Sequence, residues 1–186
     1  MKQDSTASPL LFEVREGSIA VITLNRPHKA NAVDRAMHAA LREAFERFEE
    51  DRSLLVAILT GAGDRVFCAG SDLKEIADKG FGVLPRDHNL ILGENVHVSK
   101  PVIAAVNGAA YAGGWLMAQM CDLIVASSEA RFAITEAKVR RTMPWSIPLK
   151  DMIPQKVWME LLLTGEPIAA QRAHEIGFVN HVVPPL

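Results

Sequence analysis

Two glycine-punctuated turns hold the residues of this chain best placed to do chemistry. In the first, an apolar run over 102–106 stops at Asn107-Gly108 and passes through small residues. It then reaches Gly113-Gly114, ahead of a stretch that can run as a helix. In the second, the run Val66-Phe67-Cys68 ends in Ala69-Gly70-Ser71-Asp72. A backbone without Cβ at a helix start offers its amide N–H groups to an anion. Ser71 and Gly113 can each present one such amide. Two converging amides hold negative charge as it develops on oxygen, as in an enolate or a tetrahedral oxyanion. Loss of one such donor typically costs ~10²–10³ in rate, and a side-chain substitution does not remove a backbone donor. The same two turns also read as ordinary strand-to-helix connections, since glycine is common in turns. Leu116 follows Gly113 by one helical turn, so it shares the face of that amide and makes the wall there apolar.

The elements around these turns alternate. Residues 19–24 (Ile-Ala-Val-Ile-Thr-Leu) read as a strand that ends at Asn25-Arg26-Pro27. Asp34 opens a helix in which Met37, Leu41, Ala44, Phe45 and Phe48 recur at helical spacing, the stripe of a core-facing helix. A buried strand is expected over 54–60, a turn at Gly61-Ala62-Gly63 and a short helix from 73 to 78. Gly61-Ala62-Gly63 is not a dinucleotide fingerprint, because the third glycine would fall at Val66. A mobile loop is expected over 79–86 and a helix over 89–98. Strands at 102–106, 122–126, 131–133 and 179–183 alternate with helices at 114–120, 156–163 and 169–176. The helices at 156–163 and 169–176 end at Gly165 and Gly177. This order argues for an α/β fold with largely parallel buried strands.

The 186 residues suffice for one core domain, expected over 11–186 behind a flexible leader at 1–10. An apolar fraction of 49% and a net charge of -2 fit an ordinary globular chain and give no reason to expect a nucleic-acid or membrane-surface partner. No segment has the length of a membrane-spanning helix. Cys68 and Cys121 are too few for a disulfide scaffold and read as buried thiols in a reducing compartment, here taken as the cytoplasm. The histidines show no metal-ligand spacing, and no G-x-S-x-G elbow occurs.

Several blocks, in order along the chain, resemble the crotonase (enoyl-CoA hydratase/isomerase) superfamily. They are Asn25-Arg26-Pro27 with Asn31-Ala32, Leu59-Thr60-Gly61, and Phe67-Cys68-Ala69-Gly70-Ser71-Asp72-Leu73. Further on come Lys100-Pro101 through Val106-Asn107-Gly108, Gly113-Gly114, Cys121-Asp122, Leu163-Thr164-Gly165, Ala170-Gln171-Arg172-Ala173 and Gly177-Phe178-Val179-Asn180. The resemblance implies a crotonase-like fold of repeated ββα units, and an acyl-CoA thioester as substrate with no separate cofactor. It implies that Ser71 and Gly113 bind the thioester carbonyl. It further implies that Ser71, Asp72, Leu73 and Lys74 contact the thioester and pantetheine arm, and that His28, Lys29 and Ala30 lie near the adenosine part of coenzyme A. His28 and Lys29 also read as a solvated loop.

Family hydratases add water to a 2-enoyl thioester with two glutamates. One of the two positions is matched by Glu136, implied to be an acid/base; its side chain could otherwise pair with Lys138 or Arg140. The other is Leu116, which puts two-carboxylate hydration in doubt and leaves a single-glutamate isomerase-type enzyme. A non-catalytic acyl-CoA-binding or scaffold member is the alternative, and thioester hydrolysis or decarboxylation is a third reading. The stretch from Val139 to Trp145 lacks the glycine-rich run often seen in hydratases. Trp115, Met143 and Trp145 are candidates both for the acyl pocket and for the core. The family's C-terminal helices, which close the acyl pocket and support a trimer or a dimer of trimers, have no counterpart before Leu186.

Overall fold

The computed structural model describes residues 8–79 and 90–185. Strand β1 (Leu10–Arg15) forms an antiparallel hairpin with β2 (Ile19–Leu24). Strands β3 (Val56–Gly61), β5 (Val102–Val106), β7 (Leu123–Ser127) and β10 (His181–Val183) extend this into a six-stranded sheet of order β1-β2-β3-β5-β7-β10. Every pairing after the hairpin is parallel. Strand β4 (Val66–Cys68) begins a second sheet of four short strands with β6 (Ala109–Tyr111), β8 (Arg131–Ala133) and β9 (Ile168–Ala169). The first three are parallel and β9 is antiparallel. The expected α/β class with largely parallel strands therefore holds.

Helix α1 (Arg35–Glu50) starts as its sequence dictates. Asp34 caps it, its carboxylate accepting from Met37 N at 2.9 Å. Met37, Leu41, Ala44, Phe45 and Phe48 are all buried, so the apolar stripe is core. Short helices α2 (Leu73–Lys79) and α3 (Gly113–Gln119) follow β4 and β6. Helices α4 (Leu149–Met152), α5 (Gln155–Thr164) and α6 (Ala170–Glu175) complete the chain, and Gly165 ends α5 in the left-handed conformation. Cys68 and Cys121 are free and buried, and burial pushes the Cys68 thiol up to about 12. Among the described residues no helix is long and apolar enough to cross a membrane.

The helix expected over 89–98 does not form across the described part, 90–98. Leu92 and Val96 bridge around Gly93, which takes a φ of 80°. The Asn95 side chain accepts from Ile91 N at 2.9 Å, so a local side-chain bond and a glycine outcompete helical hydrogen bonding. Most of the loop expected over 79–86 lies outside the described residues.

Candidate active site

Three neighbouring parallel strands of the small sheet end on the same side, and each delivers one candidate group. Beyond β4 comes Ser71, directly beyond β6 comes Gly113, and beyond β8 comes Glu136. The first two lie side by side. A Cβ placed on Gly70 would stand 3.0 Å from Gly113 N, and one on Gly113 would stand 3.8 Å from Ser71 N. Gly70 has a φ of 91°, a conformation open to glycine at no steric cost. Ala112 sits at φ 52° and ψ −121°, which L-residues rarely adopt and which costs on the order of 1–3 kcal/mol. Its surroundings over-determine it. Ala112 N donates to Ala133 O at 2.9 Å, while Ala112 O accepts from Trp115 N and Leu116 N at 2.9 and 3.2 Å.

Among the described residues neither Ser71 N nor Gly113 N donates to a protein acceptor, whereas Gly70 N, Asp72 N and Ala112 N do. Asp72 N, for example, donates to Val33 O at 2.9 Å. Gly114 serves packing instead. A Cβ there would fall 2.0 Å from the carbonyl oxygen of Cys68, so only glycine lets α3 lie on β4. A narrow cavity of about 10 Å³, about the room of one water, opens between the two turns. Ser71, Gly113, Leu116 and Met117 line it together with His38 of α1. Leu116, one turn after Gly113, thus lines the same cavity as the residues that carry the two amides. His38 has no counterpart in the sequence reading, because a lone histidine on the partly polar flank of α1 gives no signal.

Glu136 stands outside that cavity lining, in the 3-10 turn Thr135–Val139 that follows β8. Its Oε1 accepts a hydrogen bond from Trp145 Nε1 at 2.7 Å, and its Oε2 is buried without a partner. Burial pushes its carboxyl above the usual glutamate range. The Trp145 N–H, its own amide and the Arg141 charge oppose that shift only in part. It does not pair with Lys138, whose ammonium turns to Glu166 at 2.9 Å. Gln119, near the end of α3, donates through Nε2 to the carbonyl of Trp145 at 3.2 Å. Trp115 belongs to the core, fully buried with ring centroids 5.6 Å from Phe132 and 5.2 Å from Phe178. Met143 and Trp145 are half-buried against that core.

The remaining candidates divide by side chain. His28 and Lys29 are exposed on the 3-10 turn Pro27–Lys29, and Ala30 closes it at φ 51°. This turn touches the Ser71 segment, because Ala69 N donates to Ala30 O at 3.1 Å. Leu73 and Lys74 are exposed on α2. The Asp72 carboxylate is engaged in structure. It accepts from Lys74 N at 3.1 Å and Glu75 N at 3.3 Å, and pairs with Arg26 at 3.1 Å. Burial raises the Asp72 pKa, but these hydrogen bonds and the Arg26 charge outweigh burial and hold it below its usual range.

Arg26 also meets Asp34 at 3.0 Å, so one guanidinium ties together the starts of α1 and α2. Asn31, fully buried at φ 51°, accepts from Arg26 N and donates to Ala62 O and Val66 O. Both residues lie in the first family block, but their roles as struts were not read from sequence. An asparagine just after a turn, where left-handed backbone is tolerated, is the signal that could have found one. Among the described residues, no three His, Cys, Asp or Glu side chains cluster to hold a metal ion.

A profile of the family described as enoyl-CoA hydratase/isomerase matches residues 14–185. The chain is 40% identical over 182 residues to (E)-benzylidenesuccinyl-CoA hydratase of Thauera aromatica, covering 95% of this chain and 70% of that one. It is 42% identical over 184 residues to carnitinyl-CoA dehydratase of Proteus mirabilis, covering 95% and 69%. Among solved structures, an enoyl-CoA hydratase of Mycobacterium tuberculosis H37Rv superposes with a TM-score of 0.85 at 39% identity, over 96% of this chain and 70% of that one. A carnitinyl-CoA dehydratase of Mycobacterium avium 104 does so with the same TM-score at 39% identity, over 96% and 71%.

Proposed function

This chain belongs to the enoyl-CoA hydratase/isomerase family, and on that premise we propose that it is an acyl-CoA enzyme that moves a double bond by way of a thioester enolate, with Glu136 as its single acid/base. The observation that carries the reading is the company of Leu116. It shares a cavity lining with two unengaged amides, at the position where the family resemblance implies one of two hydratase carboxylates. The relatives named above act as hydratases and dehydratases, and a leucine cannot activate water.

The step balances with the groups present. Glu136 Oε2 takes the α proton of a 3-enoyl thioester. The electron pair moves onto the thioester oxygen, where the Ser71 and Gly113 amides hold it. The carboxylic acid then returns the proton at the γ carbon, and the enolate collapses to the 2-enoyl thioester. A raised carboxyl pKa suits this exchange near neutral pH. The chemistry calls on no cofactor beyond the coenzyme A of the substrate. The exposed Lys29 suits its phosphates, with His28, Ala30, Leu73 and Lys74 along the arm. Exposed Ile147, Met152, Met159 and Leu163 suit burial in a trimer or a dimer of trimers, and the buried thiols suit the cytoplasm.

Assays of 2-enoyl- and 3-enoyl-CoA with wild type and Glu136→Gln test this reading. Double-bond migration that disappears in the variant supports it, and unchanged turnover removes Glu136 from the mechanism. Leu116 in the lining, where the resemblance implies a carboxylate, also favours one second reading, an acyl-CoA-binding member without chemistry. Calorimetric binding of an acyl-CoA, with no turnover of any enoyl substrate, would select it.

A further inference from the structure

We infer that Trp145 is a positioning residue for Glu136: its indole N–H immobilises one carboxylate oxygen, so that Oε2 alone exchanges protons with substrate. The inference rests on the assignment of Glu136 as the acid/base. Its geometry is independent of that assignment. The indole nitrogen lies 2.7 Å from Oε1, while Oε2 is buried with no partner. A buried carboxylate oxygen without a partner is unusual, because polar groups taken from water are almost always hydrogen-bonded. Here one oxygen is fixed and the other is left bare, in a carboxylate emerging from the strand next to the one that delivers the Gly113 amide.

Trp145 is itself anchored from that neighbouring element. Its carbonyl accepts from Gln119 Nε2 at 3.2 Å, and Gln119 ends the helix that Gly113 begins. Residue 145 therefore links the helix bearing one oxyanion amide to the carboxylate that must act beside it. The side chain is half-buried against the core and occupies a 3-10 turn, Pro144–Ser146, that starts with a proline. That fixed turn suits a role in holding geometry.

The charges around Glu136 allow a clean reading. On its own segment, Arg141 is the charge that acts on it, and Lys138 is held by Glu166. Removing the indole N–H takes away a hydrogen bond that favours the carboxylate form. The Glu136 carboxyl then becomes harder to ionise, and the acidic limb of the rate profile moves to higher pH.

The experiment compares wild type, Trp145→Phe, and a protein carrying a benzothiophene isostere at 145 that keeps the indole shape without the N–H. Turnover of 3-enoyl-CoA is measured against pH. The Glu136 carboxyl is titrated by carbon-13 NMR, its resonance assigned by its loss in Glu136→Gln. In both altered proteins the titration midpoint and the acidic limb are expected to rise by about one unit. kcat should fall about tenfold with KM little changed. The isostere carries the test if the phenylalanine variant fails to fold, and the NMR titration carries it if turnover is too slow to follow. A midpoint that stays in place, or a kcat that stays at the wild-type value, overturns the inference. Should Glu136→Gln itself retain activity, the functional reading falls instead, and the two failures are told apart.

Discussion

The large sheet and the small sheet use their polar groups in opposite ways. At the ends of the large-sheet strands, side chains of the family blocks are engaged with backbone. Asn107 bonds Gly61 and Gly63, the Asp122 carboxylate accepts from Val102 N, and the Asn180 carbonyl accepts from Ile124 N. At the ends of the small-sheet strands, the Ser71 and Gly113 amides have no protein acceptor among the described residues, and Glu136 Oε2 is buried and bare. Trp115 Nε1, Gln119 Oε1 and Trp158 Nε1 are also buried without a partner. What sets the small-sheet strand ends apart is that two open amides and a bare carboxylate oxygen follow three neighbouring strands on one side, a grouping that suits a ligand. Asn107, Asp122 and Asn180 are therefore struts, and in the proposed reaction the chemistry falls to a few groups at the ends of three short strands.

The contrast can be broken by removing one group from each side. Glu136→Gln should lower turnover by ~10²–10⁴ while leaving thermal unfolding close to wild type, as steady-state rates and calorimetry would show. Asn31→Ala should do the reverse. Three hydrogen-bonding partners lose Asn31, two of them carbonyls, at a cost of about 3 kcal/mol. That would appear as a lower denaturant midpoint, with the acidic limb of the rate profile unmoved. A fall in stability for Glu136→Gln as large as for Asn31→Ala would erase the distinction between the two regions.

Leu116→Glu sharpens the comparison by adding an open polar group to the small-sheet side. Formation of 3-hydroxyacyl-CoA from 2-enoyl-CoA should rise by about tenfold or more, followed by chromatography of the products. The smallest effects lie in the pH dependence of stability. Asp72 has a lowered folded pKa, so its contribution is present above the unfolded carboxylate value of about 3.9 and is lost as pH falls through the lower folded value. Asp72→Asn should thus be less stable than wild type near neutrality and converge with it in acid. Glu136 has a raised pKa, so its ionisation opposes folding as pH rises above about 4.3. Glu136→Gln should therefore gain on wild type in that direction, and urea titrations at several pH values would show the two slopes with opposite sign.

Much of this scaffold was legible before the structure. The strand at 19–24, the Asp34 cap and the buried stripe of α1 follow from β-branched composition, a capping side chain and helical spacing, all local signals. Strand β6 was not legible, since Ala109-Ala110 lacks β-branched residues and is a strand only because β4 and β8 flank it. The Gly113–Leu116 spacing put Leu116 on the face of the Gly113 amide, and the two residues line one cavity. The roles of Arg26, Asn31 and Trp145 were hidden, because each depends on partners far along the chain or on a turn whose path sequence does not reveal.

The most direct test follows wild-type enzyme in deuterium oxide by proton NMR, with 3-enoyl-CoA and then 2-enoyl-CoA as substrate. A single-carboxylate enolate mechanism predicts migration between the two isomers, deuterium entering only at the α and γ carbons, and little 3-hydroxyacyl-CoA. Rapid accumulation of 3-hydroxyacyl-CoA from the 2-enoyl thioester, without isomerisation, would contradict it.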